Sequence, residues 1–227
     1  MLSEEDHQRI RAAVTRAEER TSGEVFCVLA QDVSRYREVP LAFAAIAALV
    51  VPPILVLSGL HRLALAGIFS SWTDDSVRGV EALILRTLSG YTLLQAAIFV
   101  GVALIVAFPP VRRLLTPRFL KRHRVRQVAR HHFAASGARL SEAEPHILIY
   151  AALNDHQVEL VAHHAIHQAV GEGPWNAAIA SVTEGMRAGT PADGFVRAIE
   201  ICGDALARHF PPTGKPVNRL PNDLLET

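Results

Sequence analysis

The 227-residue chain has only two cysteines, two methionines and two tryptophans, and aromatic residues make up just 6% of it. Cys27 and Cys202 stand far apart inside apolar runs, which excludes the close spacing of a zinc site or a redox pair. Both read as small core residues, as suits a reducing compartment. An excess of charge of one sign is also missing. The formal net charge is +1, so the chain as a whole gives no electrostatic reason to bind nucleic acid. No Gly-rich phosphate loop, paired-Cys metal motif, H-E-x-x-H helix or nucleophile elbow occurs. The segment from Ser3 to Arg20 is dense in charge and has no apolar core, which excludes a signal peptide there.

Charge in total is scarce. Charged residues make up 20% against 50% apolar, and the mean hydropathy of +0.21 is high for a water-soluble domain. The excess is concentrated in two runs. Leu41 to Leu60 contains no charged residue and as a helix crosses about 30 Å of hydrocarbon. Pro52 and Pro53 within it predict a kink or a re-entrant shape. Tyr91 to Phe108 is interrupted only by Gln95 and stops at Pro109 and Pro110. A core helix of a small domain is usually shorter and carries a polar stripe. Neither run has one, and both read as transmembrane spans.

After the second run come Arg112, Arg113, Arg118, Lys121, Arg122, Arg124 and Arg126. The connecting loop holds only Arg62, Arg78 and Arg86, offset by Asp74, Asp75 and Glu81. The basic flank is therefore expected in the cytoplasm, with both termini on that side and the loop from about His61 to Gly90 outside. Within the loop, VEALILRTLSG is amphipathic and suits the interface or an extension of the second helix.

The remaining residues alternate helix and strand signals. Ser3 and Asp6 make a capping box for a helix with Ile10, Val14 and Ala17 on one face, ending at Thr21, Ser22 and Gly23. Glu24 to Ala30 is a nearly continuous apolar run, as in a strand covered on both faces. Beyond Pro117, Val125, Val128, Ala129, His132 and Phe133 recur at helical spacing with arginines opposite. The basic face of that helix either lies against anionic headgroups or is simply solvated. His146 to Leu153 and Gln157 to Ala162 are strand-like, with Asn154 and Asp155 supplying a hairpin turn. Two helices follow. Pro174 opens the first and Gly189 closes it, and Thr190, Pro191 and Asp193 supply cap, first-turn proline and capping-box acid to the second. The tail from Pro211 is expected to be loose.

The expected fold is α/β, or α+β, with a small sheet packed with helices and interrupted by two transmembrane helices. Residues 1–38 form its first piece, and residues 39–110 a transmembrane hairpin with spans at about 41–60 and 91–108. Residues 111–210 hold the basic helix and the remainder of the domain, and residues 211–227 the tail. Neither piece can bury its apolar faces alone, so the two must co-fold on one side of the bilayer.

The opening LSEEDHQRIRAAVTRAEERTSGEVFCVLA, the hairpin HILIYAALNDHQVELVA and above all MRAGTPADGFVRAIEICGDALARHFP together resemble the TPM domain. This is a small α/β module of bacterial membrane proteins and of a thylakoid acid phosphatase. The resemblance covers roughly half the chain and implies a multi-pass protein of the bacterial cytoplasmic (inner) membrane. It also implies a membrane-anchored phosphatase as one alternative. Many relatives carry an acid or Asn followed by Gly before the middle strand, where this chain has Pro145 and His146. His163 and His164 stand where relatives carry Asp after the next strand. Acidic groups proposed in the family to bind metal or assist phosphate chemistry are thus replaced.

Two clusters remain as candidate chemistry. Glu142, Glu144, Asp155 and Glu159 gather around the hairpin, as catalytic or ordinary surface acids. His131, His132, His146, His156, His163, His164 and His167 lie between the basic helix and the last two helices. His163 and His167, spaced i, i+4, can share one divalent metal ion if that segment is helical, and stand too far apart if it is a strand. No catalytic residue is assigned. The expected function is that of a membrane protein whose cytoplasmic domain binds a partner, with the bilayer and a membrane protein as partners. A metal-binding or pH-sensing domain is a further alternative.

Overall fold

A computed structural model describes residues 2–32, 36, 38–58, 80–137, 145–212 and 220–227. The fold is α/β, with a four-stranded mixed sheet packed among helices. The chain divides into two compact units, one made of Met1–Arg35 with Arg118–Thr227 and the other of Tyr36–Pro117.

In the first unit, α1 (Glu4–Glu18) starts with the expected capping box. The Ser3 hydroxyl accepts from the Asp6 N–H at 3.1 Å, and the Asp6 carboxylate accepts from the Ser3 N–H at 3.2 Å. The Ser3 hydroxyl bonded to it holds the Asp6 carboxyl below its ordinary range. Ile10, Val14 and Ala17 form the buried face of this helix.

Strand β1 (Glu24–Ala30) then enters the sheet. Its parallel neighbour is β2 (His146–Ala152), with Val25 opposite Ile147 and Val28 opposite Tyr150. Strand β3 (Gln157–Ala162) pairs antiparallel with β2, and β4 (Leu225–Glu226) lies parallel to β1 on its other side. The order is β3-β2-β1-β4, so the strand made before the apolar runs is interior to the sheet.

Alternate residues of β1 and β2 serve two cores, because side chains of a strand point to opposite faces. Val25, Cys27, Leu29, Ile147 and Ile149 pack with Ile10 and Val14 of α1 and with two later helices, α7 (Gly173–Ala188) and α8 (Pro191–His209). Phe26, Val28, Ala30, Leu148 and Tyr150 pack on the other face with Val125 and Ala129 of α5 (Arg118–Gly137), together with Leu220. Cover on both faces explains why these strands are apolar without alternation.

Helices α7 and α8 touch backbone to backbone. A Cβ added at Gly185 would lie 2.8 Å from the Gly194 Cα and 2.8 Å from the Thr190 carbonyl oxygen. Gly189, at φ 76°, closes α7 in the left-handed conformation that glycine adopts without penalty. A short helix, α6 (His164–Val170), joins β3 to this pair.

Two expectations need correction. The tail is not loose at its end: Leu220 and Leu224 are buried, and Leu225–Glu226 adds the fourth strand. The reason is the open edge of β1, whose backbone groups near Leu29 and Gln31 are bonded by Thr227. Asp193 makes no capping box for α8. Thr190 caps without a side-chain bond, and the Asp193 carboxylate instead accepts from Arg9 of α1, a stronger charged partner. The hairpin turn holds Asn154 and Asp155 as expected, and its last residue, His156, takes the left-handed conformation at φ 48°.

The second unit comprises α2 (Glu38–Leu57), α3 (Val80–Ala107) and the short α4 (Pro109–Leu115). Helix α2 continues through Pro52 and Pro53, and α3 incorporates the VEALILRTLSG segment as an extension. Windows of 18 residues (Glu38–Leu55) and 21 residues (Thr87–Ala107), each with mean hydropathy 2.0, are long and apolar enough to cross a membrane. Large side chains in both are uncovered: Leu49 is 65% exposed and Leu104 70% exposed.

Candidate functional site

The hairpin lies against α5, and the pairing of charges between them decides what its acids do. Lys121 Nζ stands 3.4 Å from Asp155 Oδ1, with both side chains largely buried. Arg126 Nε donates to Glu159 Oε1 at 2.8 Å. Two of the four carboxylates expected as a cluster are thus tied to two of the seven cations expected at the membrane surface. Glu142 and Glu144 lie outside the described residues. Arg112 and Arg113 belong to α4, and Arg118, Arg122 and Arg124 to α5. Charge pairing across two elements cannot be read from spacing along one of them, which is why the sequence did not reveal it.

The histidines converge from three elements. The Phe133 ring of α5 stacks on His146 at 4.2 Å, His146 stands 5.9 Å from His163, and His163 stands 4.5 Å from His164. Space for the His146 ring comes from Gly137, where an added Cβ would meet Nε2 at 3.3 Å. His132 lies 5.6 Å from Tyr150. Burial, then the neighbouring His131, holds the His132 imidazole below the ordinary histidine range; burial, then His164, does the same to His163.

His163 follows β3 and caps α6. Its Nδ1 accepts from the Ala165 N–H at 3.4 Å, and its carbonyl accepts from the His167 N–H at 3.1 Å. That role requires a neutral ring with the proton on Nε2. The segment is therefore helical only from His164 onward, with His167 exposed on it. Among the described residues no group of three or more His, Cys, Asp or Glu is placed to hold a metal ion.

One buried carboxyl escaped the sequence reading. Glu18, at the end of α1, accepts from the Val25 N–H at 3.2 Å and is hydrogen-bonded by Asn222. Burial pushes its pKa up to about 7, and Glu24 adds to the rise. Glu24 in turn accepts from the Leu220 N–H at 3.3 Å. Glu18 thus satisfies a β1 backbone N–H that β4 does not reach, while Glu24 ties the tail to the start of the strand. The only signal available was a Glu beside a turn, which is commonplace.

Two cavities accompany the tail. One of about 300 Å³ is lined by Phe26, His132, Ser136, Pro221 and Leu224, among others. Another, of about 330 Å³, opens at the carboxyl ends of β1 and β4 among Leu29, Gln31, Asp32, Leu153, Glu226 and Thr227. There Asn154 Nδ2 donates to Asp32 Oδ1 at 3.1 Å. Crevices at the carboxyl ends of parallel strands are common ligand sites in open α/β sheets, and polar side chains at this one can orient a small ligand.

Cys27 and Cys202 are both buried free thiols. Burial pushes the Cys202 thiol up to about 12 and the Cys27 thiol up as well, so both are inert core residues.

Neither a protein-family model nor a curated protein sequence matches the chain. A similar solved structure is the NMR structure of BA42 protein from the psychrophilic bacterium Bizionia argentinensis. The two are 16% identical and superpose with a TM-score of 0.54, over 100% of this chain and 96% of that one. What the two proteins share is a fold.

Proposed function

We propose that the chain is a membrane-anchored, non-catalytic accessory protein: α2 and α3 span a bacterial cytoplasmic membrane, and the sheet domain, TPM-like in its motifs, binds a partner protein on the cytoplasmic side. The observation that carries the anchor is the uncovered apolar surface of α2 and α3. Leu41, Ile46, Leu49, Ile54, Leu93 and Leu104 are all exposed, a contiguous apolar area that water-soluble monomers rarely present. Helix α3, with 28 residues, is about 42 Å long, more than the hydrocarbon core requires.

Several features favour an accessory role over phosphatase chemistry. Asp155 and Glu159 are held by Lys121 and Arg126. His163 serves as a helix cap at a position where TPM relatives carry an acid.

Reporter fusions test the anchor. A periplasmic reporter joined after Ser76 should be active and one joined at Thr227 inactive, with a cytoplasmic reporter giving the reverse. The opposite pattern overturns the orientation. For partner binding, affinity purification from detergent-solubilised membranes should yield a stoichiometric membrane protein; purification of the chain alone, at native expression, counts against it.

A further inference from the structure

Strand β1 is paired unequally on its two sides. Along β2 all seven residues from Glu24 to Ala30 have a partner, while along β4 only Val28 and Leu29 do. Thr227 adds two backbone bonds, donating to the Leu29 carbonyl at 3.0 Å and accepting from the Gln31 N–H at 2.9 Å. Nearer the start of β1 the contacts run through side chains. The Val25 N–H donates to Glu18 at 3.2 Å, and the Leu220 N–H donates to Glu24 at 3.3 Å. The tail's own residues explain the short pairing. Carried back from Leu225 opposite Val28, the register sets Asn222 opposite Val25 and Pro221 opposite Glu24. Proline has no N–H to give a ladder, and asparagine is a poor strand former.

Leu220 and Leu224 are the buried anchors of the tail, and its remaining holds are peripheral. Arg11 donates to Asp223, with both side chains about half exposed. Glu226 accepts from the Leu2 N–H at 2.9 Å and faces His7 at 3.5 Å. Exposed pairs of this kind stabilise little. The seat is also underfilled, because the cavity of about 300 Å³ lined by Phe26, His132, Pro221 and Leu224 lies beside it.

We infer that the β1 edge is a docking site for an extended segment of the partner protein, and that residues 220–227 are a removable cover occupying it. The inference rests on the partner-binding reading of the domain. The segment lies parallel to β1 as β4 does, with acids in the places of Asp223 and Glu226 and apolar anchors in those of Leu220 and Leu224. Where the tail has Pro221 and Asn222 it carries strand formers, and its backbone takes over the Val25 N–H from Glu18. Strand addition draws affinity from the main chain and selectivity from alternate side chains. A longer ladder is what lets a partner displace a tethered tail. The tail of a second copy offers only the same two pairs without the tether, so exchange between copies gains nothing.

The test uses the full chain in detergent micelles and two fluorescein-labelled peptides, LPNDLLET with the tail sequence and LVVDLLET, which carries P221V and N222V. A chain lacking residues 220–227 should bind LVVDLLET about tenfold tighter than LPNDLLET. The intact chain should bind LVVDLLET about tenfold more weakly than the shortened one, because the tethered tail must leave first. Should the shortened chain fail to fold, D223N in the intact chain supplies the second arm. It loosens the tail but spares Arg11 for the peptide, and should tighten LVVDLLET by roughly threefold. Equal binding with and without the tail, equal binding of the two peptides, or a D223N chain no better than its parent overturns the inference. Dimerisation of the D223N chain without peptide binding assigns the edge to a second copy and overturns it too. Copurification separates the inference from the reading beneath it. A membrane protein recovered equally with parent and D223N chains, neither of which binds peptide, leaves the accessory role standing and removes the β1 edge as its site. Peptide binding with no copurifying protein supports the edge and counts against the accessory role.

Discussion

The two units are both built from Leu, Val, Ile and Ala, yet they treat those residues in opposite ways. In the sheet unit Val28, Leu148 and Phe195 have no exposed surface, because each face of β1 and β2 meets a helix. In the α2–α3 unit, residues of the same kind stand uncovered. The first unit makes its own apolar interior, while the second leaves much of its apolar surface uncovered, which is what the proposed membrane anchor would require. Sequence hydropathy measures how much a segment avoids water, and only the neighbours decide whether protein or lipid provides the escape.

The sharpest way to break that comparison is to place the same charge in each unit. Val28→Asp puts an unpaired carboxylate at an interior strand and should cost about 4 kcal/mol or more. The loss should extend to residues 118–212, seen as rapid trypsin cleavage of that piece. Leu104→Asp should leave the sheet unit's melting unchanged and instead weaken membrane retention by roughly 3 kcal/mol. Continued protease resistance of the C-terminal piece in the Val28 variant would show that β1 is dispensable.

A smaller effect is expected at the α7–α8 crossing. Gly185→Ala forces a methyl against the Gly194 backbone, which cannot swing aside, and should destabilise by about 1–3 kcal/mol. Thermal unfolding in detergent measures it, and an unaltered midpoint would mean that the helices separate freely.

Glu18 sharpens the comparison from the side of pH. Its folded pKa of about 7 lies above the ordinary glutamate value, so the folded state binds more protons than the unfolded state between about pH 4.5 and 7. Stability contributed by this group is therefore present at the acid end and lost as pH rises through 7, by roughly 2 kcal/mol. Glu18→Gln keeps the acceptor for Val25 and should flatten that slope, gaining stability above pH 7. A variant with the same pH profile as the parent refutes the assignment. The smallest change is His156→Gly, which relieves a left-handed histidine and should gain up to about 1 kcal/mol in equilibrium unfolding.

What could be read from sequence was local. The Ser3–Asp6 box, the strands at Glu24–Ala30 and His146–Ala152, and the closing Gly189 each follow from residues within a few positions of one another. What could not be read depends on distant partners. Asp193 goes to Arg9, Asp155 to Lys121, and two residues of the tail become a strand because β1 offers an open edge. A two-residue pairing leaves no periodicity to detect, and a buried Glu18 looks like any acid at a helix end.

The interior position of β1 has a consequence in time. Its partner β2 begins about 115 residues later in the chain, and at the usual pace of synthesis that is a wait on the order of ten seconds. During it a seven-residue strand, apolar on both faces, stands finished and unpaired while the intervening helices are made. On the proposed spanning role of α2 and α3, folding of this domain is coupled to insertion, and the rate at which a membrane accepts these helices sets how long an aggregation-prone strand stays unprotected.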